Sequence, residues 1–446
     1  MQRSTSGPGA GTRPRGGEPA AGGPGDGQSG QQRRGRGAGR SAPDGDGEEQ
    51  ADGGGREPGR PRRGPGRQRL RDRTWARVTL ALFATFMVMV SWSVGHALTA
   101  PGGGSASERL AEWARDHYLG PVVTLGEWLT YQPPKAGGRP AFALTGPSAG
   151  PVIRAGSAPH RGVRTRPLAL PPPPAPLRSF AGASLPGEGS WRVLAAVHGQ
   201  PAIYGTYLRA SALYSSYVAG IALMNQKLLK FQLRPGSEDP GPGAWKAAPS
   251  IPPGTRAGLL ATFNNGFKIN ESGGGFYLNG QTAASLVNGV ASVVYYRDGR
   301  LAIGVWGSTV RMTPGVAGVR QNLHLIVEHG AVPDSVDDNV ESSWGATLGG
   351  GYYVWRSGIG MTAAGQIVFV YGPALDVREL ADLLQRAGAV TGMELDINPD
   401  WMSYQYYLPK ADPADPVPVN LLPSQIQPAD RYYYVSGRDF TAVYAR

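Results

Sequence analysis

Short apolar runs recur through residues 191–446, and turn-forming Gly, Pro, Asn and Asp residues separate them. Runs of this length, rich in β-branched and aromatic residues, are typical of β-strands. The predicted strands are residues 191–197, 202–208, 217–224, 227–233, 258–263, 274–280, 291–297 and 300–306. Asp298 and Gly299 lie between the last two and predict a hairpin with a type I′ turn.

Residues 377–387 have a helical period instead. The apolar residues on one face are Leu380, Leu383, Leu384 and Ala387. Asp376 is a suitable N-cap with Glu379 three residues later, and Gly388 provides the stop. Strands are predicted on either side of this helix, at residues 352–360, 366–371 and 390–396. Because helical pattern is scarce elsewhere, we predict an α+β fold, a β-rich domain of about 250 residues with few helices.

A different pattern marks residues 78–98, which contain 21 residues and no Lys, Arg, Asp or Glu. This length suits one crossing of the hydrocarbon core, so residues 78–99 are predicted to be a transmembrane helix. A cleaved signal peptide is the alternative, but the apolar run and the segment before it are long for one. Arginines precede the span, which predicts a signal anchor with a cytoplasmic N-terminus. The prediction is a single-pass type II protein of the cell membrane, with the domain 191–446 extracellular.

Composition separates the chain into parts that fold and parts that do not. Residues 1–77 contain 16 Arg, 9 acidic residues and few large apolar side chains, which predicts a disordered, basic cytoplasmic tail. Residues 100–190 are predicted to hold a juxtamembrane helix at 107–119 and a Pro/Gly-rich linker, a spacer across a cell wall or surface layer. The helix suits either the membrane interface or an ordinary linker.

Charge and cysteine content exclude several function classes. Residues 191–446 contain 19 basic and 19 acidic residues, so the net charge of +11 belongs to the tail and linker, and no nucleic-acid partner is predicted. The sequence has no cysteine, which excludes disulfides, thiolate metal sites and a thiol nucleophile. His324 and His329 flank a predicted strand without a third ligand, so neither a metal site nor a cofactor is predicted.

Candidate chemistry concentrates between residues 354 and 401. Glu394 and Asp396 lie two residues apart at a predicted strand end, which directs both carboxylates to one side of the pleat. Arg356 is in an aromatic strand, where a charge is costly unless it is paired. It could clamp a phosphate or form a structural ion pair with a buried acid. The acidic loop with Asn398 and Asp400 could alternatively bind calcium, although it lacks the EF-hand pattern.

A second candidate segment is Asn264, Asn265 and Gly266, which follow an apolar strand and precede the Gly-rich stretch ESGGGFYLNG. Glycines let backbone N–H groups approach a ligand, and Asn side chains can hold sugar hydroxyls. Asn and Gly also make ordinary turns, which is the plainer interpretation.

These pieces, in this order, resemble the phosphodiester glycosidase family over residues 258–405. The segment at residues 264–267 is similar to its N-x-G-F/Y motif, residues 355–360 to its R-[ST]-x-[IV]-G strand, and residues 366–370 to the strand after it. The helix at 376–389 and Glu394-Leu395-Asp396 are similar to the helix and N-L-D that follow. In the family a G-G-G-S loop comes next, whereas here residues 397–400 read INPD.

The resemblance implies hydrolysis of a sugar-1-phosphodiester on a surface or wall glycan. It implies Asp396, Glu394 and Arg356 as catalytic residues. The predicted substrate contacts are Asn264, Asn265 and Gly266, together with Asn398 and Asp400 of the loop that departs from the family. The alternative is a non-catalytic module that binds a phosphorylated glycan after losing the Gly-rich catalytic loop, and a third reading is a structural surface protein without a ligand.

Overall fold

The structure is a computed structural model that describes residues 65–99, 106–147, 173–338 and 353–446. Residues 1–64 of the predicted tail and residues 148–172 of the predicted linker lie outside the described residues. The described helices are α1 (Pro65–Thr99), α2 (Ala106–Asp116), α3 (Gly120–Thr130) and α4 (Val377–Arg386). Three short 3-10 turns lie at Pro253–Thr255, Asp334–Asp337 and Arg431–Tyr433. The predicted β-rich fold with few helices is confirmed.

Strands dominate the C-terminal part of the chain. They are β1 (Arg192–Val197), β2 (Gln200–Leu208), β3 (Ala219–Met224), β4 (Leu229–Arg234), β5 (Leu259–Asn264), β6 (Phe276–Leu278), β7 (Gln281–Ala284), β8 (Ala291–Tyr296), β9 (Leu301–Val305), β10 (Val316–Gln321), β11 (Leu325–Val327), β12 (Val354–Thr362), β13 (Ile367–Leu375), β14 (Ala389–Glu394), β15 (Tyr404–Leu408), β16 (Val417–Asn420) and β17 (Phe440–Ala445).

The strands form three antiparallel sheets. The largest has the order β1-β2-β3-β13-β12-β14-β11, and the two others have the orders β7-β6-β10-β8-β9 and β16-β15-β5-β17-β4. Aromatic rings join the first sheet to the third, since Phe369 on β13 lies 4.9 Å from Phe263 on β5 and 5.3 Å from Tyr404 on β15. The main apolar core therefore lies between sheets.

Helix α4 covers the other face of the large sheet. Its buried side chains are Val377, Leu380, Ala381, Leu383 and Leu384. Asp376 accepts from the Glu379 N–H at 2.6 Å, and both halves of the predicted capping box are present. A Cβ on Gly360 of β12 would lie 2.7 Å from the Ala389 Cβ, so glycine is needed for the close approach of the chain there.

The hairpin between β8 and β9 forms where Asp298 and Gly299 predict it, but with another turn. The Gly299 N–H donates to the Tyr296 carbonyl at 2.8 Å, and the Tyr296 N–H donates to the Arg300 carbonyl at 2.9 Å. Gly299 has a φ of +83°, whereas Asp298 lacks the positive φ that a type I′ turn requires at both central residues. The type I′ prediction is therefore wrong, and the pattern is a turn closed by a glycine bulge.

Near the N-terminus, residues 73–99 of α1 make one helix that is long and apolar enough to cross a membrane. The predicted span 78–99 lies inside it. Residues 65–77, predicted to belong to the disordered tail, form the first part of α1 instead. Helix α2 follows in the stretch predicted to be helical, and the Trp113 indole N–H donates to the Ser93 hydroxyl at 2.9 Å. Asp116 at the end of α2 lies 3.4 Å from Lys268 of the β-domain. Helix α3 was not predicted.

Two segments of the predicted linker, residues 131–147 and 173–190, contact the β-domain. Leu144 is buried in the main core. The Trp191 indole N–H donates to the Ala175 carbonyl at 3.1 Å, and Glu188 pairs with Arg209 at 2.8 Å. The compact domain thus includes chain that precedes Trp191.

Candidate functional site

Two neighbouring strands hold a buried pair of opposite charges. Arg356 lies on β12 and Glu394 ends β14, with Gly358 opposite Glu394 in the register. Arg356 Nη1 is 2.5 Å from Glu394 Oε1, and neither side chain is more than 2% exposed. The Arg356 Nε–H also donates to the Leu375 carbonyl at 3.0 Å. This pair has the closed geometry of a structural ion pair.

The pKa of Glu394 reflects this enclosure. Burial raises the pKa, the guanidinium of Arg356 opposes the rise, and the nearby charge of Asp396 adds to it. Among the described residues, no group donates a hydrogen bond to the buried Oε2 of Glu394. An unsatisfied acceptor in a dry site favours the protonated carboxyl.

Asp396 lies two residues beyond the end of β14 and pairs with Arg438. Ser357 fixes its backbone, because the Ser357 N–H and hydroxyl both donate to the Asp396 carbonyl, at 2.9 and 3.0 Å. The Asn398 N–H donates to Oδ1 at 2.8 Å, and Oδ2 is 3.5 Å from Arg438 Nη2. Burial raises the pKa of Asp396 to about 6, although Arg438 opposes the rise.

Arg438 begins a chain of alternating charges that sequence reasoning missed. Its Nε lies 3.7 Å from Asp239, and Arg320 Nη2 lies 3.9 Å from the same carboxylate. Arg320 also donates through Nε to Asp439 at 3.1 Å. Residues from three separate parts of the sequence thus join Asp396 to Asp439. The signal available was an Arg-Asp pair directly before an apolar stretch that was not predicted as a strand.

Asn264 and Asn265 are buried and hydrogen-bonded to the surrounding protein. The Asn264 amide N–H donates to the Ser357 hydroxyl at 2.9 Å. Its side-chain oxygen Oδ1 accepts from the Ser403 N–H at 3.0 Å.

The Asn265 side chain is bonded in the same way. Its Nδ2–H donates to Asp439 at 2.8 Å, and its Oδ1 accepts from the hydroxyls of Tyr295 and Thr441. These contacts hold the end of β5 against β12 and β17.

The three remaining predicted residues, Gly266, Asn398 and Asp400, lie at the edges of the site. The Gly266 carbonyl accepts from Arg438 at 3.3 Å, so this residue touches the charged chain directly. Asn398 and Asp400 are half-buried in the loop after β14, where the Asn398 side chain accepts from the Asp400 N–H at 2.9 Å. Trp401 follows, with its ring 5.4 Å from the Arg438 guanidinium.

A cleft of about 300 Å³ opens beside this chain of charges. Its charged lining residues are Asp116, Glu238, Asp239, Lys268 and Arg438. Arg438 therefore contacts Asp396 and also borders the cleft. The side chain of Asp396 is 5% exposed, and Asp396 is not among the residues that line the cleft. No group of three His, Cys, Asp or Glu side chains suited to a metal occurs among the described residues.

Among the predicted residues, Arg356 pairs with Glu394. Asn264 donates to the hydroxyl of Ser357, which in turn donates to the Asp396 carbonyl. The structure adds Arg438, Asp239, Arg320, Asp439 and Lys268, which the sequence analysis did not single out.

No family model and no curated protein matches the chain. Solved structures show a remote similarity of fold. One is the zebrafish N-acetylglucosamine-1-phosphodiester alpha-N-acetylglucosaminidase catalytic domain auto-inhibited by its pro-peptide, with a TM-score of 0.37, 11% identity and coverage of 58% of this chain and 88% of that one. Another is a hypothetical protein from Synechocystis, with a TM-score of 0.29, 13% identity and coverage of 55% and 63%.

A third is a putative exported protein from Burkholderia pseudomallei, with a TM-score of 0.26, 11% identity and coverage of 51% of this chain and 74% of that one. At these values the similarity is one of fold, and it assigns neither a reaction nor a catalytic residue to this chain.

Proposed function

We propose that the β-domain hydrolyses sugar-1-phosphodiester bonds, with Asp396 as the carboxylate that acts on the anomeric carbon. The observation that carries this proposal is the position of Asp396. Its carboxylate is buried, its pKa is raised to about 6, and its partner Arg438 borders an open cleft. Buried carboxylates with perturbed pKa values beside a cleft are characteristic of catalytic sites.

The cations of the cleft have a role in this reaction. A departing phosphate monoester has a second pKa near ~6 and needs charge stabilisation more than protonation. Arg438 and Lys268, which line the cleft, can supply that charge. Asp396, ionised at neutral pH, then attacks the oxocarbenium-like centre or activates a water. A substrate phosphate that draws Arg438 toward the cleft would uncover the Asp396 carboxylate.

The other predicted residues take supporting roles in the proposal. Glu394 and Arg356 act as a positioning pair, because they are closed against each other and fix the end of β14. Asn398 and Asp400 are the half-buried polar groups that contact sugar hydroxyls. Asn264, Asn265 and Gly266 hold the segment against which Arg438 rests.

A second candidate function is binding of a phosphorylated glycan without cleavage. One observation favours it, since the Asp396 side chain is only 5% exposed and its carboxylate contacts Arg438 at 3.5 Å. In that case Arg438 and Lys268 would hold the phosphate, while Asp396 would only orient Arg438.

We also propose that α1 anchors the protein as a single-pass type II membrane protein, with the β-domain outside the cell near its glycan ligand. The support is the apolar helix and the arginines that precede it. Protease added to intact cells should digest the β-domain and spare the N-terminal tail, whereas a mature N-terminus near Pro101 would show a cleaved signal peptide.

The test of function uses the purified full chain in detergent with the methyl phosphodiester of N-acetylglucosamine 1-phosphate and its glucose analogue. Asp396→Asn keeps the shape but removes the base or nucleophile, so turnover should fall about 100-fold or more. Turnover by the wild type should also fall as the pH drops below about 6, because Asp396 becomes protonated. In heavy-oxygen water the methyl phosphate product should stay unlabelled, since the anomeric C–O bond is broken.

Asp415→Asn is the matched control, because it removes an exposed carboxylate that pairs with Lys410 at 2.7 Å. Its turnover should equal that of the wild type. If the wild type binds these esters but never cleaves them, the binding function replaces the hydrolase. If it neither binds nor cleaves any sugar phosphodiester, both candidate functions fail.

A further inference from the structure

A second and larger cleft, of about 640 Å³, lies beside β4 at the edge of its sheet. Its cationic lining residues are Lys230, Arg234, Lys246, Arg297 and Arg446. Asp298 is the acidic residue among its described lining residues, and it pairs with Arg300 at 2.6 Å. The cleft is therefore strongly positive, although the domain as a whole carries equal numbers of basic and acidic residues. We call it the basic cleft.

Arg234 has an unsatisfied donor at this cleft. The residue is 8% exposed, and its Nη2–H donates to the Tyr444 hydroxyl at 3.1 Å. Its Nε–H is buried and has no hydrogen-bond acceptor among the described residues. Leaving a charged group's buried donor unsatisfied is unfavourable. An acceptor supplied by a bound anion would remove that penalty.

The cations are spread along the cleft instead of converging on one point. Lys230 and Arg234 lie on the same face of β4, four residues and so about 13 Å apart. Lys246 and Arg297, both exposed, line the cleft from other segments of the chain. Neither Lys230 nor Lys246 forms an ion pair with any described residue. This spacing suits a ligand that carries several negative groups in a row better than a single small anion.

We propose that the basic cleft binds a phosphodiester-linked chain of sugars or polyols. The inference needs no cleavage at Asp396, since the basic cleft is built from other residues. The basic cleft and the chain of charges at Asp396 lie near opposite ends of β17. Phe440 begins this strand directly after the chain of charges, whereas Arg446, which lines the basic cleft, follows the other end, roughly 20 Å away.

Two other polyanions fit the basic cleft less well. Single-stranded nucleic acid is usually held by exposed aromatic rings on which bases stack. Here Phe231 and Tyr295 are buried, and the Arg300 guanidinium lies 5.4 Å from the half-buried Tyr296 ring. A membrane surface would need a convex basic patch with apolar side chains that insert, whereas these cations line a concave cleft.

The test measures binding of a synthetic glycerol phosphate hexamer to the full chain by calorimetry. The double variant Lys230→Gln/Lys246→Gln removes two exposed cations of the basic cleft, so affinity should fall about 10-fold or more and depend less steeply on salt. Arg234→Lys keeps the charge but loses the Nε–H donor and should also weaken binding. The matched control is Lys135→Gln/Lys410→Gln, which removes the same charge from exposed positions outside the cleft. It should bind as the wild type does.

Equal affinity of the wild type and the Lys230→Gln/Lys246→Gln variant would overturn the proposal. A single-stranded DNA hexamer or an anionic phospholipid vesicle that bound more tightly than the glycerol phosphate hexamer would overturn it as well. Loss of hexamer affinity in the Lys230→Gln/Lys246→Gln variant, together with no cleavage of the sugar phosphodiesters by the wild type, would support the basic cleft and refute the hydrolase, so the two proposals can fail separately.

Discussion

Two acid–base pairs lie side by side in this domain, and they differ in how completely they are closed. Arg356 and Glu394 are 2.5 Å apart and at most 2% exposed, on adjacent strands of the largest sheet. Asp396 and Arg438 are 3.5 Å apart, and the guanidinium borders a cleft. The carboxylates are only two residues apart in sequence, yet one is inside a sheet and the other follows its end.

The difference indicates which pair could interact with a ligand and which stabilises the fold. Removing one partner of a closed, buried pair strands the charge of the other, so the change is felt mainly as lost stability. A longer pair beside a cleft can exchange its partner for a ligand group of the same charge. We therefore propose a stabilising role for Arg356 and Glu394, and ligand chemistry for Asp396 and Arg438. The first pair would be hard to adapt to binding without unfolding the sheet.

The largest expected effect comes from Arg356→Ala, which breaks the closed pair. Glu394 would stay buried without its guanidinium, so the free energy of unfolding should fall by roughly 3–5 kcal/mol. Urea unfolding followed by tryptophan fluorescence measures this loss. The loss should shrink in acid, because burial already raises the pKa of Glu394 and protonation removes the stranded charge.

Two comparisons decide what that loss means. Arg438→Ala should cost less, since Asp396 keeps the hydrogen bond from the Asn398 N–H. Arg378→Ala removes an exposed pair with Asp337 and should change stability little. Equal losses for Arg356→Ala and Arg438→Ala would erase the distinction between the two pairs.

The second prediction concerns the pH dependence of stability, through Asp396→Asn. The folded-state pKa of Asp396 is about 6, above its ordinary value of 3.8, because burial outweighs the charge of Arg438. The folded protein therefore holds this proton more tightly than the unfolded chain does. Its contribution to stability is complete below pH 3.8 and is lost as the pH rises to about 6.

Relative to the wild type, Asp396→Asn should gain up to roughly 3 kcal/mol between about pH 4 and about pH 7. Chemical unfolding at a series of pH values measures the difference. Asp415→Asn is the control, because the hydrogen bond from Lys410 lowers the pKa of Asp415 and its titration lies below that range. A constant difference between Asp396→Asn and the wild type would mean that Asp396 has an ordinary pKa, which would weaken its proposed catalytic role.

The sequence predicted most strands that have a continuous apolar pattern, together with α4 and its capping box. The strands it did not predict are β7, β10, β15, β16 and β17. In β15 and β17 the buried face carries Gln405 and Thr441, and such polar residues interrupt the apolar pattern. The Thr441 hydroxyl donates to the side-chain oxygen of Asn265 at 2.8 Å. These residues are 176 positions apart, so no local pattern reveals the contact.

In the candidate site, too, residues with a local signal were predicted and their long-range contacts were not. Arg356, Glu394 and Asp396 stand out locally, because charges are rare in apolar strands. Their pairing is a matter of register, and it joins Arg356 to Glu394 while leaving Asp396 to Arg438. Arg438 was missed because it precedes β17, whose partners β4 and β5 are about 200 residues earlier in the chain. Long-range antiparallel pairing brings these residues together, and local signals do not encode it.

The smallest expected effect comes from Arg209→Ala, which breaks a third buried pair and tests whether burial alone decides the cost. Glu188, in the predicted linker, accepts from the Leu185 N–H at 2.8 Å and the Arg209 N–H at 3.0 Å, and both donors remain in the variant. The loss should therefore be roughly 1.5–3 kcal/mol, below that of Arg356→Ala. Urea unfolding gives its size, and faster proteolysis within residues 173–190 should accompany it. A loss as large as that of Arg356→Ala would mean that enclosure outweighs the remaining hydrogen bonds. No loss at all would mean that this part of the linker adds nothing to the domain.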